Sequence, residues 1–451
     1  MSQEVPQYLK DLVANFVQIY STVSDLELDL NQEPKLSFMP LSDYAHKREA
    51  AHYFLLAAAL SDHQLTGNPR NIRLLLDHLS VAFEGKLYTI ENPVEFKQEV
   101  HRFEQKTENL DKLGEAKDEI PEVLCSVNQF VEKKAQGDLI AYTTKLSQTG
   151  RKPKDFVEAL SYSVKRMNKQ HKSKCWLYLR WMVRSTPDLG LFNFSPKDLM
   201  VSLTTPKLRV YVALGLSDND KLPFRLNDKN RPDSWWENTV EFDADADKLT
   251  QFACSVFPDD PAKIDFPFFI IGSWLEYSDL TPISLERSLR FFIKKHQELH
   301  QPPMRYLTVA YHYNRIGERI LPGVFSQLET KVYDFLRKKQ VVAYYEFMEF
   351  YLSQTNSNTS FTYKPDFLLP QFTSNGRKVL LEPHGVRDNL KEFLDKLSTF
   401  RKHYGEYFCV ILIVPDDFVE AINEFDPKRD SYELVWKLSD YQIQFENFRS
   451  S

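Results

Sequence analysis

The 451-residue sequence has few cysteines, few glycines and no long apolar run. Its four cysteines lie far apart and form no CxxC pair, which predicts neither a disulfide framework nor a zinc cluster. Its 13 glycines form no glycine-rich phosphate loop, so P-loop and Rossmann folds are disfavoured. Because no basic start precedes an apolar stretch and no run reaches about 18 apolar residues, we expect no signal peptide, no membrane span and a cytoplasmic location.

Composition and charge are those of a folded globular protein. Hydrophobic residues make up 42% and charged residues 27% of the chain, which argues against long disordered segments. The length suffices for two or three domains. With a formal net charge of -6, any nucleic-acid partner has to be bound by local basic patches.

The periodicity of apolar residues changes along the chain. From about residue 45 to 300 they recur at helical spacing, as in REAAHYFLLAAALSDHQL and ISLERSLRFFIKKHQEL. Beyond a Pro-Pro pair, short β-rich runs alternate with helical patterns. We therefore predict a multidomain protein with an all-α domain over residues 1–300 and an α/β domain over 301–451.

Two carboxylates flank apolar runs in the stretch YKPDFLLPQFTSNGRKVLLEPHG, residues 363–385. Asp366 begins one predicted strand and Glu382 ends the next, with a Ser-Asn-Gly turn between them. Such a hairpin brings both carboxylates to one edge, where Mg²⁺ prefers oxygen ligands. The alternative is structural: Asp366 caps a turn, and Glu382 pairs with Lys378 or Arg387.

This stretch resembles the PD-(D/E)XK nuclease superfamily. Pro365-Asp366 matches the first half of its motif, and Glu382-Pro383-His384 matches the second with histidine in place of lysine. The resemblance covers about residues 320–440 and implies a restriction-endonuclease-like domain that uses Mg²⁺ or Mn²⁺. It implies Asp366, Glu382 and Glu329 as metal ligands and His384 as a base or metal ligand. Lys396 and Arg401 on the following helix either contact phosphates or are solvated.

A basic segment precedes an apolar helix at residues 164–185, VKRMNKQHKSKCWLYLRWMVRS. Its first half contains the basic residues Lys165, Arg166, Lys169, His171, Lys172 and Lys174. A basic turn at the start of a helix suits phosphate binding, because free N–H groups and the helix dipole add to the lysines. A solvated run of charges is the alternative.

Four separated blocks resemble the helix-hairpin-helix base-excision glycosylases, in particular the archaeal 8-oxoguanine glycosylases of the AGOG type. The blocks are SDHQLTG at 61–67, KSKCWLYLRWMVR at 172–184, DLGLF at 188–192 and FPDDPAKIDFPFF at 257–269. The resemblance implies DNA as partner, Lys174 as the Schiff-base lysine and Gln64 in the damaged-base pocket. Lys172 and Arg180 would lower the pKa of the lysine or contact DNA.

The glycosylase pattern lacks its catalytic aspartate. Thr204, Thr205 or Lys207 stands where it is expected, and Asp198, Asp218 and Asp265 are imperfect substitutes by spacing. Without that carboxylate, deprotonation of the lysine has no obvious agent.

Three functions therefore remain open. The first is a metal-dependent DNA endonuclease with a glycosylase-like recognition domain, which the intact acidic motif favours. The second is a bifunctional DNA glycosylase/AP lyase, and the third is a catalytically silent DNA-binding protein.

Overall fold

The fold is that of a computed structural model. The structure describes residues 5–22, 43–67, 69–84, 86–106, 113–167, 172–185, 187–217, 239–275, 280–299, 326–339, 341, 343–345, 348, 350–353 and 360–450. The predicted domain boundary near residue 300 and the Pro-Pro pair lie outside the described residues.

Helices dominate the chain before the sheet. The helices of the first 300 residues are α1 (Gln7–Ile19), α2 (Tyr44–Leu60), α3 (His63–Thr66), α4 (Pro69–Ala82), α5 (Pro93–Lys106), α6 (Ile120–Lys133), α7 (Leu139–Gln148), α8 (Pro153–Ser163), α9 (Ser173–Val183), α10 (Thr205–Ala213), α11 (Thr239–Val256), α12 (Asp265–Trp274) and α13 (Pro282–Leu299). Short 3-10 turns lie at Leu87–Thr89, Lys117–Glu119, Pro196–Asp198 and Pro261–Ile264.

The C-terminal part alternates strands and helices. Its elements are α14 (Gln327–Lys338), β1 (Tyr344–Tyr345), β2 (Phe350–Ser353), β3 (Ser360–Tyr363), β4 (Phe367–Ser374), β5 (Arg377–Pro383), α15 (Leu390–Tyr404), β6 (Phe408–Val414), α16 (Phe418–Phe425), β7 (Leu434–Lys437) and α17 (Tyr441–Ser450). A five-stranded sheet has the order β1-β4-β5-β6-β7, and β2 and β3 form a separate antiparallel pair. Strands β1, β4 and β5 are antiparallel, whereas β5, β6 and β7 are parallel.

The chain forms two compact units, and each is discontinuous in sequence. The helical unit comprises Tyr20–Leu208 and Pro232–Phe269, and the α/β unit comprises Met1–Ile19, Arg209–Arg231 and Ile270–Ser451. The sequence predicted a helical region followed by an α/β region, and the order of the helices and strands confirms this.

The helical unit is built around α2 and α9. Helix α2 buries most of its second half, and the buried Tyr178 of α9 donates a hydrogen bond to the Ala51 carbonyl at 2.9 Å. A helix that is apolar on nearly all sides packs inside a domain. Asp43 caps α2 by accepting from the His46 N–H at 2.8 Å, which fixes where this central helix begins.

The α/β unit places its sheet between two packed layers. Every residue of β6 is buried, as expected for a central parallel strand covered on both faces. One face packs Val379 and Ile411 with Phe335 and Phe445 of α14 and α17. On the other face of the sheet, Phe408 packs against the ring of Phe350. The hairpin β4–β5 turns at Asn375 and Gly376, whose φ angles of 51° and 70° suit a two-residue turn.

Candidate functional site

The β4–β5 hairpin brings Asp366 and Glu382 together, as predicted from their positions at the strand ends. Asp366 immediately precedes β4, and Glu382 is the penultimate residue of β5. Phe367 pairs with Leu381 in the antiparallel register. The Asp366 N–H donates to Oε1 of Glu382 at 3.1 Å. Two residues that are 16 positions apart therefore share one edge of the sheet.

Glu382 is a deeply buried carboxyl group. Its side chain is 1% exposed, and burial raises its pKa to about 8, with a further increase from the negative charge of Glu329. The Asp366 N–H and the nearby Tyr363 hydroxyl oppose this increase, although the hydroxyl does not complete a hydrogen bond of ordinary geometry. A carboxylate in this position is stabilised by a nearby cation and destabilised without one.

Glu329 has a local structural role at the start of α14. Its carboxylate accepts the Ser326 N–H at 2.8 Å, while its own N–H donates to the Ser326 hydroxyl at 3.2 Å. This is a capping box, which satisfies two N–H groups of the first helical turn. The predicted third ligand thus lies near enough to Glu382 to affect its pKa, but its carboxylate is engaged in the helix cap.

The His384 ring is held against the following loop and helix. It stacks on Phe393 with centroids 4.0 Å apart and planes 6° from parallel. Nε2 lies 2.7 Å from the Val386 carbonyl oxygen, so this nitrogen is the proton donor. Burial lowers the pKa of His384, which favours the neutral ring. In this arrangement the Nε2–H group donates to the loop, so Nε2 is not the nitrogen that can accept a proton.

The acidic residues do not form a complete metal cage. Within the described residues, no group of three or more His, Cys, Asp and Glu side chains is arranged to hold a metal ion. The chemistry of the Asp366–Glu382 pair still fits a hard cation, because Mg²⁺ uses one or two protein carboxylates and retains several waters. Because burial raises the pKa of Glu382, a cation that binds there has to compete with a proton near neutral pH.

In the helical unit, Lys174 meets a carboxylate that the sequence pattern did not reveal. Its side chain is 7% exposed, and Nζ donates to the Ala59 carbonyl at 3.0 Å. Asp62 Oδ2 lies 3.5 Å from the same nitrogen. Burial favours the neutral Asp62 carboxyl, but Lys174, the Gln64 N–H and Arg166 hold its pKa below the ordinary value. The Lys174 amine therefore has a carboxylate partner, Asp62, although the aspartate expected from the glycosylase pattern is missing.

Arg166 connects this pair to the base-pocket candidate. Its guanidinium contacts Asp62 at 3.2 Å, the Gln64 side-chain oxygen at 3.0 Å and Glu119 at 2.7 Å. The result is a polar cluster of Lys174, Asp62, Arg166, Gln64 and Glu119, which we call the Lys174 cluster. Lys174 and Gln64 were expected from the sequence to belong to one site, whereas Asp62 and Glu119 were not. The only signal was that Asp62 stands within the SDHQLTG block.

Arg180 is enclosed in a second charged network. Its side chain is 2% exposed and contacts Asp265 Oδ2 at 2.8 Å, while Lys207 contacts the other oxygen. Burial opposes ionisation of Asp265, but the two cations and the Ser202 hydroxyl lower its pKa. The buried Thr204 hydroxyl has no hydrogen-bond partner among the described residues. This buried network therefore belongs to the core of the helical unit. Because Arg180 is shielded from solvent, it is not positioned to contact a phosphate.

Two of the other candidate carboxylates are paired with other cations. The structure pairs Asp198 with Lys152 at 3.6 Å and Asp265 with Arg180, and Asp218 lies outside the described residues.

The remaining predicted DNA-binding cations are engaged in ion pairs. The pairs are Lys165 with Glu122, Lys172 with Glu158, Lys396 with Glu392, and Arg401 with Glu433. Lys169, together with the neighbouring His171, lies outside the described residues. Lys165 and Lys396 are the more solvent-exposed cations of this set, so they are the ones best placed to exchange an acidic partner for a phosphate.

A family model for a protein of unknown function, DUF2400, matches residues 41–273, just over half of the chain. The chain belongs to the DUF2400 family. No curated protein and no solved structure matches it. The DUF2400 region contains every member of the Lys174 cluster and the Arg180–Asp265 pair, whereas Asp366 and Glu382 lie beyond it. Within the described residues, no helix has the length and apolar composition needed to cross a membrane.

Proposed function

We propose that this DUF2400 protein is a divalent-metal-dependent DNA endonuclease with a restriction-endonuclease-like α/β unit. The observation that carries the proposal is the buried Glu382 carboxyl beside Asp366, with its pKa raised to about 8. The element order supports it: a helix, an antiparallel β1–β4–β5 set, a crossover helix and the parallel β6 follow the order of the PD-(D/E)XK superfamily.

In this proposal Asp366 and Glu382 would hold Mg²⁺ or Mn²⁺ at the end of the β4–β5 hairpin, and the metal would in turn bind the scissile phosphate. When bound, the metal supplies Lewis-acid stabilisation of charge and a water of lowered pKa. The Asp366 N–H orients the Glu382 carboxylate by donating to Oε1. Because Glu382 is buried, bulk water is excluded from its carboxyl group.

A second function is favoured by the Lys174 cluster: DNA glycosylase/AP lyase activity on a damaged purine such as 8-oxoguanine. Asp62 is the carboxylate that such chemistry needs near its lysine. In an abasic strand, the neutral amine attacks the C1′ aldehyde, water leaves, and an imine forms that borohydride reduces to a stable bond. Attack requires that Lys174 first gives up its proton, for which Asp62 lies 3.5 Å away.

One comparison separates these functions. The full-length protein is incubated with plain, abasic and 8-oxoguanine duplexes in Mg²⁺, in Mn²⁺ and in EDTA. Metal-dependent cutting that EDTA abolishes supports the endonuclease. EDTA-resistant cutting that borohydride traps at Lys174, and that Lys174→Ala removes, supports the lyase. Binding without either product would leave a catalytically silent DNA-binding protein and refute both proposals.

A further inference from the structure

A buried tyrosine of the α/β unit lies beside the Asp366–Glu382 pair. Tyr363 is the last residue of β3 and stands three positions before Asp366 in the chain. Burial raises the pKa of Tyr363, and the negative charges of Glu382 and Asp366 raise it further. Since a neighbouring charge shifts a pKa mainly from a few ångströms away, the Tyr363 hydroxyl lies close to both carboxyl groups.

The Tyr363 hydroxyl is a hydrogen-bond donor shielded from solvent. Within the part of the chain that the structure describes, it completes no hydrogen bond of ordinary geometry. A buried donor in this state is unfavourable, because it has lost its bonds to water. The acceptor within its reach is the carboxyl group of Glu382. When ionised, that group has acceptor positions only, so the hydroxyl has to be the donor of the pair.

Packing fixes the direction from which this hydroxyl approaches. Tyr363 pairs with Phe350 in the antiparallel β2–β3 ladder. Its ring packs on Phe400 of α15 with centroids 4.9 Å apart and planes at 58°. The rings of Phe350 and Phe400 are themselves in contact, with centroids 5.0 Å apart. A side chain that its neighbours hold in this way is suited to orienting a functional carboxylate.

We propose that Tyr363 is a positioning residue of the candidate metal site, and that its O–H group donates to the Glu382 carboxylate and orients it toward a divalent cation. This role rests on the proposed function, because it requires that Glu382 binds a metal. Oε1 of Glu382 already accepts the Asp366 N–H at 3.1 Å. A second donor fixes the orientation of the carboxylate, which has about four acceptor positions, and leaves positions for the cation. Such partners of a metal-binding carboxylate typically raise metal affinity about ten- to a hundredfold.

The test is Mn²⁺ binding in the absence of DNA, which does not depend on cutting. The metal-stripped full-length protein is titrated with Mn²⁺ at one fixed pH, and the free ion is measured by electron paramagnetic resonance. The key variant is Tyr363→Phe, which keeps the ring and its packing on Phe400 and removes only the hydroxyl. We expect its Kd for Mn²⁺ to rise at least about tenfold. In cleavage assays, it should need more Mn²⁺ for half-maximal rate and approach the parent rate at saturating Mn²⁺, a result that a merely structural role would not produce.

The matched control is Tyr404→Phe, because the Tyr404 hydroxyl also donates to a glutamate of the α/β unit, Glu298. This variant should bind Mn²⁺ as the parent does. Parent-like affinity of Tyr363→Phe, or equal weakening in Tyr404→Phe, would overturn the role of Tyr363. If the parent binds no Mn²⁺, or if Glu382→Gln binds it as tightly as the parent, both the metal site and the role of Tyr363 are overturned. The expected Mn²⁺ affinities without any cutting of DNA would overturn the endonuclease alone and support the role of Tyr363.

Discussion

Glu382→Gln should reduce the loss of stability that the protein suffers as the pH rises. Burial raises the pKa of Glu382 to about 8 from its ordinary value of 4.5. The folded state therefore binds this proton more tightly than the unfolded chain. The resulting stability is fully present below the unfolded pKa and is lost as the pH rises through the folded pKa. Between about pH 5 and about pH 8 the loss amounts to roughly 3 kcal/mol.

The assay is chemical denaturation in EDTA at these two pH values. The glutamine side chain retains an oxygen for the Asp366 N–H and does not ionise, so the variant should lack most of this pH dependence. Glu392→Gln is the control, because Glu392 is exposed and pairs with Lys396 at 2.7 Å. Mg²⁺ should restore stability at the higher pH in the parent protein and not in Glu382→Gln, since the metal binds the deprotonated carboxylate. Identical pH profiles for the parent and Glu382→Gln would refute the reasoning.

Three further substitutions test other parts of the account. Asp265→Asn removes the carboxylate that the buried Arg180 and Lys207 share and should cost about 3 to 5 kcal/mol; an unchanged melting temperature would contradict this. Asp62→Asn should lower borohydride trapping at Lys174 and, because the pKa of Asp62 is lowered in the fold, reduce the loss of stability on acidification below about pH 4. Parent-level trapping would remove Asp62 from the chemistry. His384→Ala should slow metal-dependent cleavage by less than about tenfold, because its Nε2 is committed to the loop. A loss as complete as that of Asp366→Asn would identify it as the base.

The hairpin was predictable because its signals are local. Two short apolar runs, FLL and VLL, lie on either side of an Asn-Gly turn, and both turn residues adopt positive φ. Strand pairing then fixes which residues meet, so Asp366 and Glu382 were expected to lie together and they do. The burial of Glu382 was not predictable, because it depends on packing of the surrounding elements.

The Lys174 cluster was only partly predictable because its contacts are long-range. Lys174 and Asp62 are 112 positions apart in the chain, and no periodicity relates them. The burial of Arg180 could be predicted, because a lone cation within the apolar run WLYLRWMV is typical of a buried ion pair. The inclusion of α1 in the unit that contains the sheet has no sequence signal, since α1 is an ordinary amphipathic helix.

The most direct test of the central claim compares Mn²⁺-dependent cleavage of a plain duplex by the parent protein, Asp366→Asn and Glu392→Gln. We expect cleavage by the parent and Glu392→Gln and none by Asp366→Asn, although all three bind DNA. Cleavage by Asp366→Asn at the parent rate would contradict it.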